Sequence, residues 1–177
     1  MKRNMMFVIV AAFASTVFAQ RGPGGLPMPH QILFSGYLVK YPKGVNQATL
    51  QRYIPELKCG PFEDEVICSS AADTLSSLFL RGVQCISSKE MAFSLKKDRT
   101  VGGSCQVTQN TAADLAISYR QKYGPPKEEK NQIYSMIVDR QTWKTGADVL
   151  TIAHFYGSDI HGEAIDNFSV HVSALGN

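Results

Sequence analysis

Hydrophobic residues recur at helical spacing most clearly between about 111 and 123. One face of this predicted helix is apolar and consists of Ala112, Leu115, Ala116, Tyr119 and Tyr123. Asn110 or Thr111 is expected to cap its start, because either side chain can accept a hydrogen bond from the first turn. Gly124, followed by two prolines, is expected to end it.

Two further stretches carry weaker helical signals. A short helix is expected over 46–53, because Asn46 can cap it and Pro55 stops it. Another is expected over 69–81, ending before Gly82. Its helically spaced apolar residues are Ala71, Ala72, Leu75, Leu78 and Phe79.

Elsewhere the hydrophobic period is two, which predicts β-strands. The middle of the chain predicts a three-stranded meander over 83–87, 91–96 and 104–108, with turns at 88–90 and 99–103. Further strands are expected at 32–41, 65–68, 133–139, 148–156 and 167–175. The charged stretch 127–131 is predicted to be a solvated loop.

These elements together predict an α+β fold for residues 32–177, which we expect to form a single domain. In this prediction, two to three helices pack on one face of an antiparallel sheet or sheets, and two disulfides staple the domain. A chain of this size buries enough surface to fold without a metal or a partner.

The N-terminal residues have the pattern of a secretory signal peptide, expected over 1–19. Lys2 and Arg3 precede an apolar stretch, and Val17 and Ala19 suit cleavage before Gln20. A membrane anchor is the alternative, but the apolar stretch is shorter than the ~20 residues that a bilayer requires. The protein is therefore expected to be secreted, into the periplasm of a Gram-negative host or otherwise outside the cell, without stable membrane insertion after cleavage. Residues 20–31 are predicted to be a flexible tether rich in glycine and proline.

The chain contains four cysteines, at Cys59, Cys68, Cys85 and Cys105. An even number in an exported protein predicts two disulfides, and we favour Cys59–Cys68 with Cys85–Cys105 among the three possible pairings. A zinc site formed by all four thiolates is the alternative, although the spacings lack the close pairs typical of zinc knuckles.

The charge balance argues against a nucleic-acid partner. The chain has 18 basic and 15 acidic residues, and removal of residues 1–19 leaves a net charge of +1. Nucleic-acid-binding domains usually carry a strongly basic face.

Histidines supply the most specific candidate chemistry, at His154, His161 and His171 in the last predicted hairpin. A turn centred on His161 and Gly162 would place His154 and His171 on the same face of the sheet, with His154 opposite Ser169 and His171 opposite Ile152. A register change of one residue would put them on opposite faces.

Two carboxylates lie beside these histidines in sequence, at Asp159 and Glu163. Together the five residues are candidate ligands for a metal-binding protein or a metal-assisted hydrolase. Ordinary strand histidines and a solvated hairpin loop are the competing interpretation.

Other catalytic signatures are missing from the sequence. There is no nucleophile elbow, and both disulfides together would leave no free cysteine. Several aromatic residues either line a ligand groove or fill the core: Tyr119, Tyr123, Tyr134, Trp143, Phe155 and Tyr156.

The sequence therefore favours an exported, non-enzymatic binding or accessory protein, of which an inhibitor is one example. Its partner is expected to be a protein or another envelope macromolecule, and no cofactor is expected. The layout is similar to that of many small exported α+β proteins that act as inhibitors or envelope accessory factors, and no residue role follows from this likeness.

Overall fold

The computed structural model describes residues 32–73 and 76–175. The predicted signal peptide and tether lie outside these residues. Within them the helices are α1 (Gln47–Tyr53) and α2 (Gln109–Tyr123), with a 3-10 helix at Ser76–Phe79. The strands are β1 (Phe34–Ser35), β2 (Tyr41–Pro42), β3 (Lys58–Phe62), β4 (Glu65–Ala71), β5 (Glu90–Lys96), β6 (Arg99–Val107), β7 (Lys127–Ile133), β8 (Met136–Lys144), β9 (Asp148–Ser158) and β10 (Ala164–Ala174).

Eight of these strands form one antiparallel sheet in the order β3-β4-β5-β6-β10-β9-β8-β7. The sheet consists of two four-stranded meanders, each running from an edge to the centre, where β6 pairs with β10. Helix α2 connects the central strand β6 to the edge strand β7. The short strands β1 and β2 pair separately.

The buried hydrophobic residues form one cluster, to which both helices and the strands of the sheet contribute. Ala112, Leu115 and Tyr119 are the buried residues of α2, and the helix packs against β8 and β10. Trp143 of β8 donates from its indole N–H to the carbonyl of Gly124 over 3.0 Å. The hydrogen bond fixes the end of α2 over the sheet.

The segment that precedes the sheet is tied to β9 through a buried carboxylate. Asp148, only 6% exposed, accepts hydrogen bonds from the hydroxyls of Ser35 and Tyr41. Burial and the Asp148 charge raise the pKa of Tyr41 well above its ordinary range, so this phenol is the donor.

Two of the three predicted helices are confirmed. Asn46 caps α1 by accepting from the N–H of Thr49. Helix α2 begins slightly earlier than predicted, with Thr108 rather than Asn110 or Thr111 as its cap, and ends at Gly124. The α+β class is therefore confirmed at the level of a mostly antiparallel sheet with two α-helices among the described residues.

The predicted helix over 69–81 is wrong. Strand β4 continues to Ala71, and among the residues of this stretch that the structure describes, only Ser76–Phe79 is helical, as a 3-10 helix. The residues at the end of β4 pair with β5, and this ladder outweighs the helical periodicity of the local sequence.

Several local predictions in the strands are also wrong. Residues 32–41 form no continuous strand, since only Phe34–Ser35 and the start of β2 at Tyr41 belong to strands, and the predicted strand 133–139 contains the turn between β7 and β8. Residues 83–87 form no strand, and the turn before β6 is at Lys97 and Asp98, both with positive φ, rather than at 99–103. The charged stretch 127–131 belongs to β7, an edge strand whose residues are all exposed.

Both favoured disulfides are present, Cys59–Cys68 and Cys85–Cys105. The first joins directly opposed residues of β3 and β4. The second is compatible with the sheet because Cys85 lies outside the strands, beside β6, where the N–H of Ile86 donates to the carbonyl of Gln106. None of the helices in the described ranges is long and apolar enough to cross a membrane.

Candidate functional site

Two hairpin tips meet at one end of the sheet, and we call residues 133–135 and 158–163 the paired tips. They belong to the β7–β8 and β9–β10 hairpins. Ser135 Oγ donates to the carbonyl of Ser158 over 3.1 Å, and the N–H of Ser158 donates to the carbonyl of Ser135 over 3.3 Å. Gly157 permits this approach, because a Cβ at its φ of +110° would lie 2.3 Å from the Ser135 carbonyl oxygen.

The carboxylate of Asp159 organises the longer tip. Its Oδ1 accepts from the N–H of His161 over 2.8 Å and from the N–H of Glu163 over 2.9 Å. The N–H of Asp159 in turn donates to the Glu163 carbonyl over 2.9 Å. Asp159 therefore stabilises the backbone of the loop, which is the usual role of an aspartate in a turn.

Large apolar side chains project from the paired tips. Tyr134 is 85% exposed and Ile160 is 80% exposed, and Ile133 beside them is half exposed. Tyr134 also adopts a left-handed backbone with φ of 54°, which is uncommon for a residue other than glycine, asparagine or aspartate. The tips thus present apolar anchors on a hydrogen-bonded frame.

The structure does not bring the three candidate histidines together. The β9–β10 register differs by one residue from the predicted pairing, so His154 lies opposite Phe168 and His171 lies opposite Thr151. The two imidazoles consequently occupy opposite faces of the sheet, while His161 is exposed in the paired tips. Among the described residues, no group of three histidine, cysteine or acidic side chains is arranged to hold a metal ion.

His154 belongs to a separate group of contacting side chains on the same face as α2. We call this group the histidine cluster, and it also contains Tyr156, Asp166 and Phe168. Its ring stacks on Phe168, with centroids 4.1 Å apart and planes 6° from parallel, and it also stacks on Tyr156 at 4.7 Å. Its Nε2 lies 2.7 Å from Oδ1 of Asp166. The histidine is therefore held in a fixed orientation by two rings and a carboxylate.

A second polar group adjoins this cluster. Lys130 donates to the hydroxyl of Tyr156 over 2.7 Å, and that hydroxyl donates to Oδ2 of Asp139 over 3.1 Å. The Oδ1 atom of Asp139 is enclosed and lacks a hydrogen-bond donor among the described residues. Its closest cationic atom, Nζ of Lys130, lies 3.7 Å away, too far for a hydrogen bond of ordinary strength.

Between this cluster and α2 lies an open groove of about 310 Å³, which we call the α2 groove. Its lining residues are Gln109, Ala112, Ala113, Ala116, Asp139, Gln141, Ile152, His154 and Phe168. The helix lines this space mainly with alanines, whose small side chains leave the groove open. One carboxylate at the rim and an apolar floor are the usual ingredients of a small-molecule site.

His171 lies on the face of the sheet opposite α2. Burial lowers the pKa of its imidazole, an effect that the negative charge of Glu65 partly opposes. The neutral imidazole is therefore favoured in the folded protein.

The aromatic residues that the sequence singled out divide between core and surface. Tyr119 and Trp143 are buried in the core, and Tyr123 packs against it. Tyr134 is exposed, and Phe155 lies on the opposite face from His154. Only Tyr156 reaches the histidine cluster.

Sequence reasoning missed Asp166, which contacts His154, and the adjoining polar pair Lys130 and Asp139. The correct register places His154 directly between Asp139 of β8 and Phe168 of β10, so the signal was the alternation of faces along three strands. No family model, curated protein or solved structure matches the chain.

Proposed function

We propose that this chain is an exported, non-enzymatic binding protein that recognises a protein partner through the paired tips. The observation that carries the proposal is the exposure of Tyr134 and Ile160 on two hairpins that are hydrogen-bonded to each other. Tyrosine anchors at the centre of an interface often supply much of its binding energy.

The rigidity of the tips supports this role. The bonds between Ser135 and Ser158 and those around Asp159 fix both loops before any partner arrives. A preformed loop loses less conformational entropy on association, so more of the contact energy appears as affinity.

The edge of the sheet is a poorer candidate for the contact surface. Strand β7 is exposed along its whole length and carries charges of both signs, with Lys127 and Glu129 paired at 2.6 Å. Charges along an edge strand discourage another chain from adding to the sheet. A partner would therefore meet the end of the sheet rather than its β7 edge.

Export is part of the same proposal. It is supported by the signal-peptide pattern over 1–19 and by two disulfides, which persist in oxidising compartments. The extracellular space, or the periplasm of a Gram-negative host, is where we expect the partner.

We further propose that both helices pack on one face of the sheet. Leu50 and Tyr53 of α1 belong to the same buried cluster as Leu115 and Tyr119 of α2, which supports this arrangement. The opposite face would then be free of helices.

A capture experiment tests the function. The oxidised protein without residues 1–19 is immobilised, and proteins retained from extracts and culture fluid of the source organism are quantified by mass spectrometry. Three forms are compared: the unaltered protein, the Tyr134→Ala/Ile160→Ala variant, and a control, Leu33→Ala/Ile117→Ala. The control removes apolar side chains that are 76% and 57% exposed but lie outside the tips.

We expect one protein to be retained equally by the unaltered form and the control. Its recovery should fall at least about tenfold with the tip variant, which corresponds to a loss of about 1.4 kcal/mol. Undiminished recovery with the tip variant, or no retained protein at all, would overturn the proposal.

A further inference from the structure

Strand β10 contains an acceptor pattern for N-linked glycosylation, at Asn167-Phe168-Ser169. The pattern requires an asparagine, then any residue except proline, then serine or threonine. The described ranges contain three other asparagines, and none of them has a serine or threonine two positions further on: Asn46, Asn110 and Asn131. A pattern of three residues also arises by chance, so the surroundings of Asn167 in the fold matter more than the pattern itself.

Asn167 lies on the face of the sheet opposite α2. Its neighbours on β10, Asp166 and Phe168, belong to the histidine cluster, so the alternation of side chains along the strand directs Asn167 to the other face. Among the described strands, β6 pairs with β10 only from Phe168 onward, and Asn167 is paired on its β9 side alone. A glycan on Asn167 would therefore extend away from α2, past the end of β6.

The fold leaves the side chain of Asn167 available for modification. Asn167 is partly exposed, and its amide takes part in none of the side-chain hydrogen bonds found among the described residues. The amide of Asn46, by contrast, is engaged, because its oxygen accepts a hydrogen bond from the N–H of Thr49. A glycan on Asn167 would replace no hydrogen bond of the folded protein.

An aromatic ring lies beside Asn167 on the same face. Phe155 of β9 is directly opposite Asn167 and is itself partly exposed. Directly opposed side chains of antiparallel strands have Cβ atoms roughly 4.5–5.5 Å apart, so the first sugar on Asn167 would reach the ring. The face of a phenyl ring carries partial negative charge and attracts the polarised C–H groups of a sugar, and the contact would also remove apolar surface from water.

We propose that Asn167 carries an N-linked glycan whose first sugar packs against Phe155. The donor is a lipid-linked oligosaccharide diphosphate of the endoplasmic reticulum, so the proposal rests on the export that forms part of the proposed function. A bond forms between Nδ2 of Asn167 and C1 of the first sugar, and the bond between C1 and the diphosphate oxygen breaks. The lipid diphosphate leaves, and the amide gives up one proton to solvent.

The natural chain tests the modification. The full chain with a C-terminal affinity tag is expressed in the source organism and purified from the culture fluid and from cell fractions. Glycans are then released by peptide N-glycosidase in heavy-oxygen water, which labels each formerly glycosylated position, and mass spectrometry of peptides locates the label. Asn167→Gln and Ser169→Ala destroy the pattern at different residues, Ser169→Thr keeps it, and Asn131→Gln is the control, since it removes an exposed asparagine that lacks the pattern.

We expect the label at position 167 in the unaltered protein, in Ser169→Thr and in Asn131→Gln, and no label in Asn167→Gln or Ser169→Ala. The contact with the ring is tested by thermal melts before glycan release. The unaltered protein should melt about 2 °C or more above Asn167→Gln. That difference should vanish when both proteins also carry Phe155→Ala.

Each part of the proposal can fail separately. An unlabelled position 167 in exported chain would overturn the glycosylation and leave export and the paired tips untouched. Equal melting temperatures with and without the glycan, or a difference that persists in Phe155→Ala, would overturn the packing of the sugar on the ring. Recovery of the chain from the cytosol alone would contradict the proposed export, and this proposal with it.

Discussion

The buried carboxylate of Asp148 offers a quantitative test of how the N-terminal segment is held to the sheet. Ser35 Oγ lies 2.7 and 2.8 Å from the two carboxylate oxygens, and the Tyr41 hydroxyl lies 3.2 Å from one of them. Hydrogen bonds to charged groups contribute about 1.5–3 kcal/mol each. We therefore expect Tyr41→Phe, which removes the longer bond, to cost about 1.5 kcal/mol, and Ser35→Ala to cost about 2–3 kcal/mol.

The double variant is more informative than either single one. With one hydroxyl removed, the other still donates to Asp148, but with both removed a carboxylate that is 6% exposed loses the two side-chain donors described for it. Because either hydroxyl alone still solvates the carboxylate in part, removing both should cost more than the sum of the single losses, which is about 3.5–4.5 kcal/mol, by at least about 1 kcal/mol.

Urea unfolding of the oxidised protein at pH 7 measures these free energies, provided that all variants share the same denaturant slope. Tyr37→Phe is the matched control, because no hydrogen bond of the Tyr37 hydroxyl contributes to this network, and it should change stability by less than about 0.5 kcal/mol. Losses for Ser35→Ala and Tyr41→Phe that add to within about 0.5 kcal/mol would refute the idea that the two hydroxyls share the solvation of one buried charge.

Three further predictions concern the stability of the fold. Replacing Cys85 and Cys105 by alanine should lower the free energy of unfolding by about 3 kcal/mol, because the disulfide restricts the chain entropy of a loop with a sequence separation of 20. An unchanged urea midpoint would contradict this prediction. Burial lowers the pKa of His171 in the folded protein below its ordinary value of 6.5, so the unfolded chain takes up a proton first as the pH falls. The free energy of unfolding should therefore decrease as the pH drops below about 6.5, until the pKa of the folded protein is passed. His171→Gln should flatten that decline in urea titrations between pH 7 and 5, and an identical slope would count against it. Gly82→Ala should lower the free energy of unfolding by about 3 kcal/mol or more, because φ is +89° and a Cβ would lie 1.4 Å from the Leu38 carbonyl oxygen. A melting temperature close to that of the unaltered protein would contradict this prediction.

Elements with strong local signals could be predicted from sequence. The capping asparagine of α1 and the glycine–proline end of α2 specify those helices through hydrogen bonds and backbone geometry within a few residues. The cysteine pairing Cys59–Cys68 was predictable because the two cysteines are only nine positions apart, on either side of a short turn.

Elements that depend on distant partners could not be predicted. The charged stretch 127–131 is a strand only because it pairs with β8, and nothing in its own composition favours one. The end of β4 is a strand for the same reason, through its pairing with β5.

The candidate site, too, could not be predicted, because it depends on how distant strands pair. A shift of one residue in the β9–β10 register moves His154 from a face shared with His171 to one shared with Asp166 and Phe168. Turn geometry sets that register. The turn begins with Asp159, whose carboxylate binds two backbone N–H groups, and a turn centred on His161 and Gly162 does not describe it.

The paired tips are the central claim, and hydrogen–deuterium exchange of the complex with the captured partner tests it most directly. The account predicts slower exchange at residues 133–135 and 158–163 on binding, while the turn at Lys97 and Asp98, at the opposite end of the sheet, is unchanged. Protection at that opposite turn or along β7, with the tips exchanging as in the free protein, would contradict it.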